Sequence, residues 1–255
     1  MPQPTGFNLP LPLPRRLMTD FLHFASQVPT VPVQRRMDLG ALVAARRVAV
    51  PRPGWCALFT KAWAIVCARH PVLRRAYLGG LFPCLYQHPI NVATIAVERP
   101  YAGEEAVFFA QITRPEERSL AEIDERLAWF KDRPLTSAAA LRRQLRLARL
   151  PWPVRRLIWR AALNLNGRLR ARFFGTFGVS GYAGLGASSL HPRGLLTSTL
   201  SYGTVEPDGG VDVRVIYDHR VMDGSTVARA LADLERVLTH EIVAELGYLR
   251  AFRVA

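Results

Sequence analysis

No aspartate or glutamate occurs between Arg133 and Val205. The formal charge of +14 is therefore largely local, because Arg142, Arg143, Arg146, Arg149, Arg155, Arg156, Arg160, Arg168, Arg170 and Arg172 crowd the first half of that span. Such a balance ordinarily points to an anionic partner: nucleic acid, an acidic membrane surface or a phosphorylated ligand. Cysteine is scarce too. Cys56, Cys67 and Cys84 are odd in number, lie in or near apolar segments and lack CxxC spacing. A disulfide framework and a zinc site are thereby disfavoured, and buried, inert thiols are expected. No apolar run reaches the length of a membrane span, since Lys61 interrupts the best candidate, residues 55–67. Prolines stand where a signal peptide would have its apolar helix, so cytoplasmic residence is the expectation. Neither a GxGxxG nor a GxxxxGK[ST] loop occurs, which leaves nucleotide chemistry of those kinds without support. His23, His70, His88, His191 and His240 show no ligand spacing to one another and read as core or surface groups, so no metal is expected.

What is present is a globular chain of 255 residues, 49% hydrophobic, long enough for one full core. Residues 1–14 hold five prolines and read as an extended arm. Leu17, Phe21, Leu22 and Phe24 give a short helix after Arg15 and Arg16, and residues 28–37 are extended, with Pro29 and Pro32 confining them to a sheet edge or an irregular start. Asp38 is the candidate N-cap of a helix carrying Leu39, Leu42 and Val43. Pro51, Pro53 and Gly54 then break the chain before a strongly apolar helix over residues 55–69, expected to be a central packing element and ended by Pro71. Residues 90–97 and 106–113 are strand-like, joined across Arg99-Pro100-Tyr101-Ala102-Gly103, so a hairpin is predicted. Ser119 and Glu122 form a capping box ahead of Leu120, Ile123, Leu127 and Phe130. Residues 137–149 and 153–172 read as two basic helices. On the second, Val154, Leu157, Ile158, Ala161 and Leu165 share a face with arginines around it.

Two later stretches carry the chemistry. Phe177 and Val179 alternate with Thr176, Gly178 and Ser180, so Ser180 ends a strand on the side away from the apolar face. Gly181, Gly184 and Gly186 let the following loop approach a ligand closely. Residues 195–205 are strand-like, and Pro207-Asp208-Gly209-Gly210 turns the chain into a partner strand with Val211, Val213, Val215 and Tyr217 on its core side. That strand delivers His219 at its end. Asp223, Gly224, Ser225 and Thr226 supply turn and N-cap chemistry before Val227, Ala230, Leu231, Leu234, Val237 and Leu238 recur at helical spacing. An imidazole at a strand end has a fixed position and an exposed edge, the geometry a general base needs. From pattern alone a structural or solvated histidine remains the alternative, as a turn serine does for Ser180.

The spacing His219-x-x-x-Asp223-Gly224 resembles the active-site signature of the chloramphenicol acetyltransferase and dihydrolipoamide acyltransferase superfamily. Residues 15–47 look like the opening helix, extended segment and next helix of that catalytic domain, and residues 59–77 look like the helix after them. Residues 90–98 are similar to its central strand and residues 175–186 to its glycine-rich serine segment. The resemblance implies an α/β fold, a chloramphenicol acetyltransferase-like mixed sheet flanked by helices, with residues 15–255 as the catalytic domain. The chain departs from the family in two places. Over about residues 136–172 the connection is longer and more basic, a helical insertion, and Gly181 stands where the family often has asparagine.

In the chemistry the resemblance implies, neutral His219 takes the proton of an attacking thiol or hydroxyl, which adds directly to an acyl thioester, while Ser180 donates to the oxyanion. Asp223 is implied to hold the histidine loop through a buried ion pair, with Arg15, Arg16 or Arg220 as partner, and Gly224 to make the turn into the helix. Coenzyme A, as an acyl-CoA, or another pantetheine or lipoyl arm would carry the acyl group; the sequence names no residues for it. Each site would lie between subunits of a homotrimer, or of a higher multiple of trimers, with the histidine from one copy and the serine from the next. No lipoyl domain or peripheral-subunit-binding segment is seen, so a stand-alone acyltransferase is expected rather than a complex core. Two rivals stand beside it. One is a non-catalytic scaffold of the same fold. The other docks the arginine-rich helices on an anionic membrane, which their amphipathic character suits better than nucleic acid; a solvated basic face or a clamp for the phosphates of CoA is the plainer reading.

Overall fold

The computed structural model describes residues 5–135, 137–181, 186, 187 and 189–251, the last four through their backbone alone. Helix α1 (Leu13–Ala25) is followed by strand β1 (Thr30–Asp38), helices α2 (Gly40–Val48) and α3 (Trp55–Arg69), a short hairpin of β2 (Arg75–Leu78) and β3 (Cys84–Gln87), and a long one of β4 (Val92–Tyr101) and β5 (Glu104–Thr113). Helices α4 (Leu120–Asp132), α5 (Ala139–Arg149), α6 (Trp152–Asn164) and α7 (Gly167–Phe174) come next. The chain closes with β6 (Phe177–Gly181), β7 (Ser198–Tyr202), β8 (Gly210–Asp218), α8 (Gly224–Arg236) and α9 (Ile242–Ala251). Six strands form one mixed sheet in the order β1-β8-β7-β6-β4-β5, antiparallel except where β6 runs parallel to β4 and β7. Helices flank it, so the expected architecture is the one the chain adopts. β1 lies at the edge, where Pro32 needs to donate no ladder hydrogen bond.

One face of the sheet is sealed by a continuous core. Helix α3 is apolar all round, and Leu58, Phe59, Trp63 and Val66 lie fully buried on it. Phe59 stacks on Tyr202 with ring centroids 4.2 Å apart. Lys61, the charge that interrupts this helix, is itself buried; its Nζ donates to Glu245 Oε2 at 2.5 Å, and the other Glu245 oxygen accepts from the Leu120 amide. That clamp joins α3, α9 and the start of α4. The capping box of α4 forms as the spacing predicted, with Ser119 and Glu122 satisfying each other's amides.

The other face carries a smaller core of Leu17, Phe24, Trp159, Leu163 and Leu195 under α1, α5, α6 and α7. Within it Asp20 is completely buried. Arg155 Nε donates to Asp20 Oδ2 at 2.6 Å, and Arg156 Nε lies 3.0 Å from Oδ1 without hydrogen-bond alignment. The pair fixes α6 against α1.

Several boundaries differ from the sequence reading. α1 begins at Leu13, so Arg15 and Arg16 sit in its first turn rather than before it; Pro14 fits there because its fixed φ suits a helix start. The arm ends at Pro12, and its residues 1–4 lie outside the described residues. The N-cap of α2 is Leu39, yet Asp38 serves from one residue earlier, its Oδ1 accepting from the Gly40 amide. The β4–β5 strands run through Arg99, Pro100 and Tyr101, and only Ala102 and Gly103 turn, both with positive φ, the geometry that matches strand twist. The second basic helix is two helices: Asn166 Oδ1 caps α7 by accepting from Arg168 and Leu169 amides, and a Cβ at Gly167 would lie 2.1 Å from the Tyr86 ring. Cys84 is exposed on β3 rather than buried.

Candidate active site

β8 was expected to have one buried face. Val211, Val213, Val215 and Tyr217 do pack in the main core, but Arg214, Ile216 and Asp218 on the other face are buried as well. The strand is thus gripped on both sides where it hands over to His219. The His219 amide donates to Pro29 O at 3.1 Å, and the buried Val221 and Met222 anchor the far side of its loop. The imidazole is half exposed, with its ring 5.5 Å from that of Tyr217.

The aspartate that braces this loop is Asp218, not Asp223. Asp218 is 1% exposed, and its carboxylate accepts from the Arg220 amide at 3.0 Å, from Nε at 2.9 Å and from Nη2 at 2.7 Å. The Arg220 guanidinium then lies 4.2 Å over the Tyr77 ring. Asp223, by contrast, has an 82% exposed side chain and pairs with none of Arg15, Arg16 or Arg220. Arg16 Nε donates instead to Leu11 O, and Arg15 is exposed at the start of α1. Asp223 is the N-cap residue of α8 by position but makes no side-chain cap bond. Its Oδ1 stands 3.7 Å from His219 Nδ1, within ion-contact range though too long for a hydrogen bond. Gly224 opens α8 as expected, packed against the Tyr217 hydroxyl.

Arg170 is a second brace that the composition concealed within a surface-like basic run. It is buried, and its guanidinium donates to Leu163 O at 3.0 Å and Leu195 O at 2.6 Å. Burial pulls its pKa down to about 10, against the opposing pull of Asp218.

Ser180 stands near the other end of the sheet. It shares with Gly178 the face of β6 turned from the main core, and it lines an apolar cavity of about 310 Å³. Register places Ser180 beside Ser201 on β7, Ser201 beside Arg214 on β8, and Arg214 beside Gln34 on β1. The Ser201 hydroxyl is buried without a partner, while Arg214 Nε donates to Gln34 Oε1. Gly181 has a physical cause: a Cβ there would lie 2.7 Å from the Tyr202 ring, so asparagine does not fit. Gly184 lies outside the described residues.

His219 is five residues beyond Arg214, and Ser180 is two strands away from it. At strand rise and spacing the two are on the order of 20 Å apart. One copy of the chain does not bring them together. Among the described residues no group of three or more His, Cys, Asp or Glu side chains is placed to hold a metal ion, and no helix is long and apolar enough to cross a membrane.

No protein-family model matches the chain, and no curated protein matches it in sequence. Solved structures do match in shape. A dihydrolipoamide acetyltransferase from Azotobacter vinelandii, whose catalytic mechanism was investigated through a serine, a histidine and an asparagine, superposes with a TM-score of 0.67 at 19% identity, over 95% of this chain and 94% of that one. The cubic core of a pyruvate dehydrogenase multienzyme complex gives 0.65 at 20% identity, over 96% and 95%. A probable dihydrolipoamide acetyltransferase from Listeria monocytogenes gives 0.64 at 17%, over 96% and 95%. The chain has the fold of the dihydrolipoamide acetyltransferase catalytic core along nearly its whole length.

Proposed function

We propose that the protein is an acyltransferase that moves an acyl group from the thioester of coenzyme A, or of another pantetheine or lipoyl arm, to a thiol or hydroxyl acceptor. The observation that carries this reading is a sheet of this topology with a rigidly braced, half-exposed imidazole at one strand end and, on another strand, a serine that lines a ligand-sized cavity. The Azotobacter enzyme supports it, because its histidine and asparagine have the spacing of His219 and Asp223.

His219 Nε2 takes the acceptor proton as the acceptor sulfur or oxygen attacks the thioester carbon. The carbonyl oxygen becomes an oxyanion, to which Ser180 Oγ donates. Collapse expels the coenzyme thiolate, which recovers the proton from His219. Asp223 balances the imidazolium through its nearby carboxylate. Because the two groups sit on the order of 20 Å apart in one chain, His219 of one copy meets Ser180 of another, and a closed ring of copies is the working form. A trimer, or a multiple of trimers, fits the cubic assembly of the pyruvate dehydrogenase core neighbour.

The test is release of free thiol from a panel of acyl-CoA thioesters, wild type beside His219→Ala. Turnover that the substitution removes supports the reading. Background release from both proteins would favour a non-catalytic scaffold of this fold.

A second reading concerns the surface. The apolar stripe of α6 faces outward: Val154, Leu157 and Leu165 are exposed among Arg160 and Arg168, while Arg155 and Trp159 are turned inward. Leu81 and Phe82 are exposed in the β2–β3 turn, which rests on Asn164 at the end of α6. An apolar face ringed by arginines suits an anionic lipid surface. Sedimentation with anionic vesicles, lost on Leu157→Asp, supports it; no binding at low salt removes it.

A further inference from the structure

The cavity beside Ser180 is larger and greasier than an acetyl group requires. Its walls come from Leu17 and Phe21 of α1, Phe109 of β5, Leu147 of α5, Trp159 of α6 and Phe174 of α7. Three of the polar side chains at its edge, those of Thr94, Gln144 and Arg143, are engaged within the fold. Thr94 Oγ1 donates to Phe174 O at 2.6 Å, Gln144 bonds both the amide and the carbonyl of Phe109, and Arg143 Nη2 donates to Arg172 O at 2.9 Å. The Ser180 hydroxyl makes no such bond among the described residues. A volume of about 310 Å³ is that of a small-molecule site. A pocket with such walls suits a largely apolar guest.

We propose that this cavity is an acyl-chain pocket, so that the thioester substrate carries a medium-length, apolar acyl group rather than acetyl. The assignment rests on the acyltransfer reading, since the chain must end at the carbonyl that Ser180 addresses. It also gives the basic helices a second role. The outer faces of α5, α6 and α7 carry arginines, and their inner faces supply Leu147, Trp159, Phe173 and Phe174 to the pocket. The basic helices thus close one side of the pocket, with α1 and the sheet closing the rest.

The test compares acetyl-, hexanoyl- and decanoyl-CoA in the intact protein. While the pocket fills, kcat/KM rises about fourfold per methylene, the ~0.8 kcal/mol of a buried methylene. Ala96 supplies the second arm. It follows Ile95, which pairs with Val179, so it lies beside Ser180 on the pocket side of the sheet, away from the main core. Ala96→Trp fills the space and lowers the decanoyl-to-acetyl ratio by about tenfold or more, with Leu147→Trp as a second filling from the helical wall. Calorimetry with S-decyl-CoA and with CoA itself separates the two claims. Turnover that is best with acetyl-CoA overturns the pocket and leaves acyl transfer standing. No turnover with any thioester, but tighter binding of S-decyl-CoA than of CoA that Ala96→Trp abolishes, overturns acyl transfer and keeps the ligand class. A preference for decanoyl that appears only after residues 5–11 are deleted means the chain fills its own pocket, and overturns the assignment.

Discussion

The two faces of one sheet are covered in different ways. The face under α3, α4 and α8 is closed by a continuous apolar core with Trp63, Phe59, Tyr217 and Phe108 fully buried. The face under α1 and α5 to α7 has a small core, a buried carboxylate with two arginines and an open cavity. The first face gains stability from packing; the second gives some of that up and keeps room and polar groups beside Ser180. Damage to the two faces should therefore register in different measurements.

The largest effect is expected from the sealed face. Trp63→Ala leaves a large void and should cost about 3 to 5 kcal/mol of stability, read by denaturant unfolding. On the open face Asp20→Ala should cost a similar 3 to 5 kcal/mol by a different route, because it strands two arginines that are nearly inaccessible. Replacing Asp20, Arg155 and Arg156 together by apolar residues should recover much of that loss. Ser180→Ala should leave unfolding unchanged and slow thiol release by about 10² to 10³; a matching fall in stability would mean the serine is structural. Acid sharpens the contrast next. His88 is buried against Arg170 and Arg74, and its pKa is pulled to about 4, first by burial and then by those charges. With the folded value below the ordinary one of 6.5, the unfolded chain binds the extra proton first. Stability should hold above pH 6.5 and decline as the pH falls toward 4, and His88→Gln should flatten that part of the melting profile. The smallest effect is expected at Asp223. With its side chain in solvent, Asp223→Asn should shift stability by no more than about 0.5 kcal/mol while slowing turnover.

Periodicity and local chemistry were legible. The apolar helix over residues 55–69, the Ser119 capping box, the long hairpin and the sidedness of Ser180 follow from spacing alone, and all of them form. Tertiary partners were not legible. Nothing local says that Asp218 rather than Asp223 meets Arg220, since both stand a few residues away; the choice follows from β8 being covered on both faces. Asp20 and Arg155 are 135 residues apart, so their pairing leaves no mark on either segment. The stripe on α6 is legible by its period as one face of a helix, but not that it points outward because Arg155 and Trp159 have their partners inside. The cavity that defines the proposed substrate draws its lining from helices and strands along most of the chain and has no motif.

The central claim is that one reaction uses His219 of one copy and Ser180 of another. Mixing unfolded His219→Ala and Ser180→Ala chains in equal amounts, refolding them together and measuring thiol release tests it directly. Assembled rings should regain activity at roughly a quarter of their interfaces, where an intact histidine faces an intact serine. Activity that stays at the level of the separate variants would contradict the account, as would full turnover by a wild-type monomer.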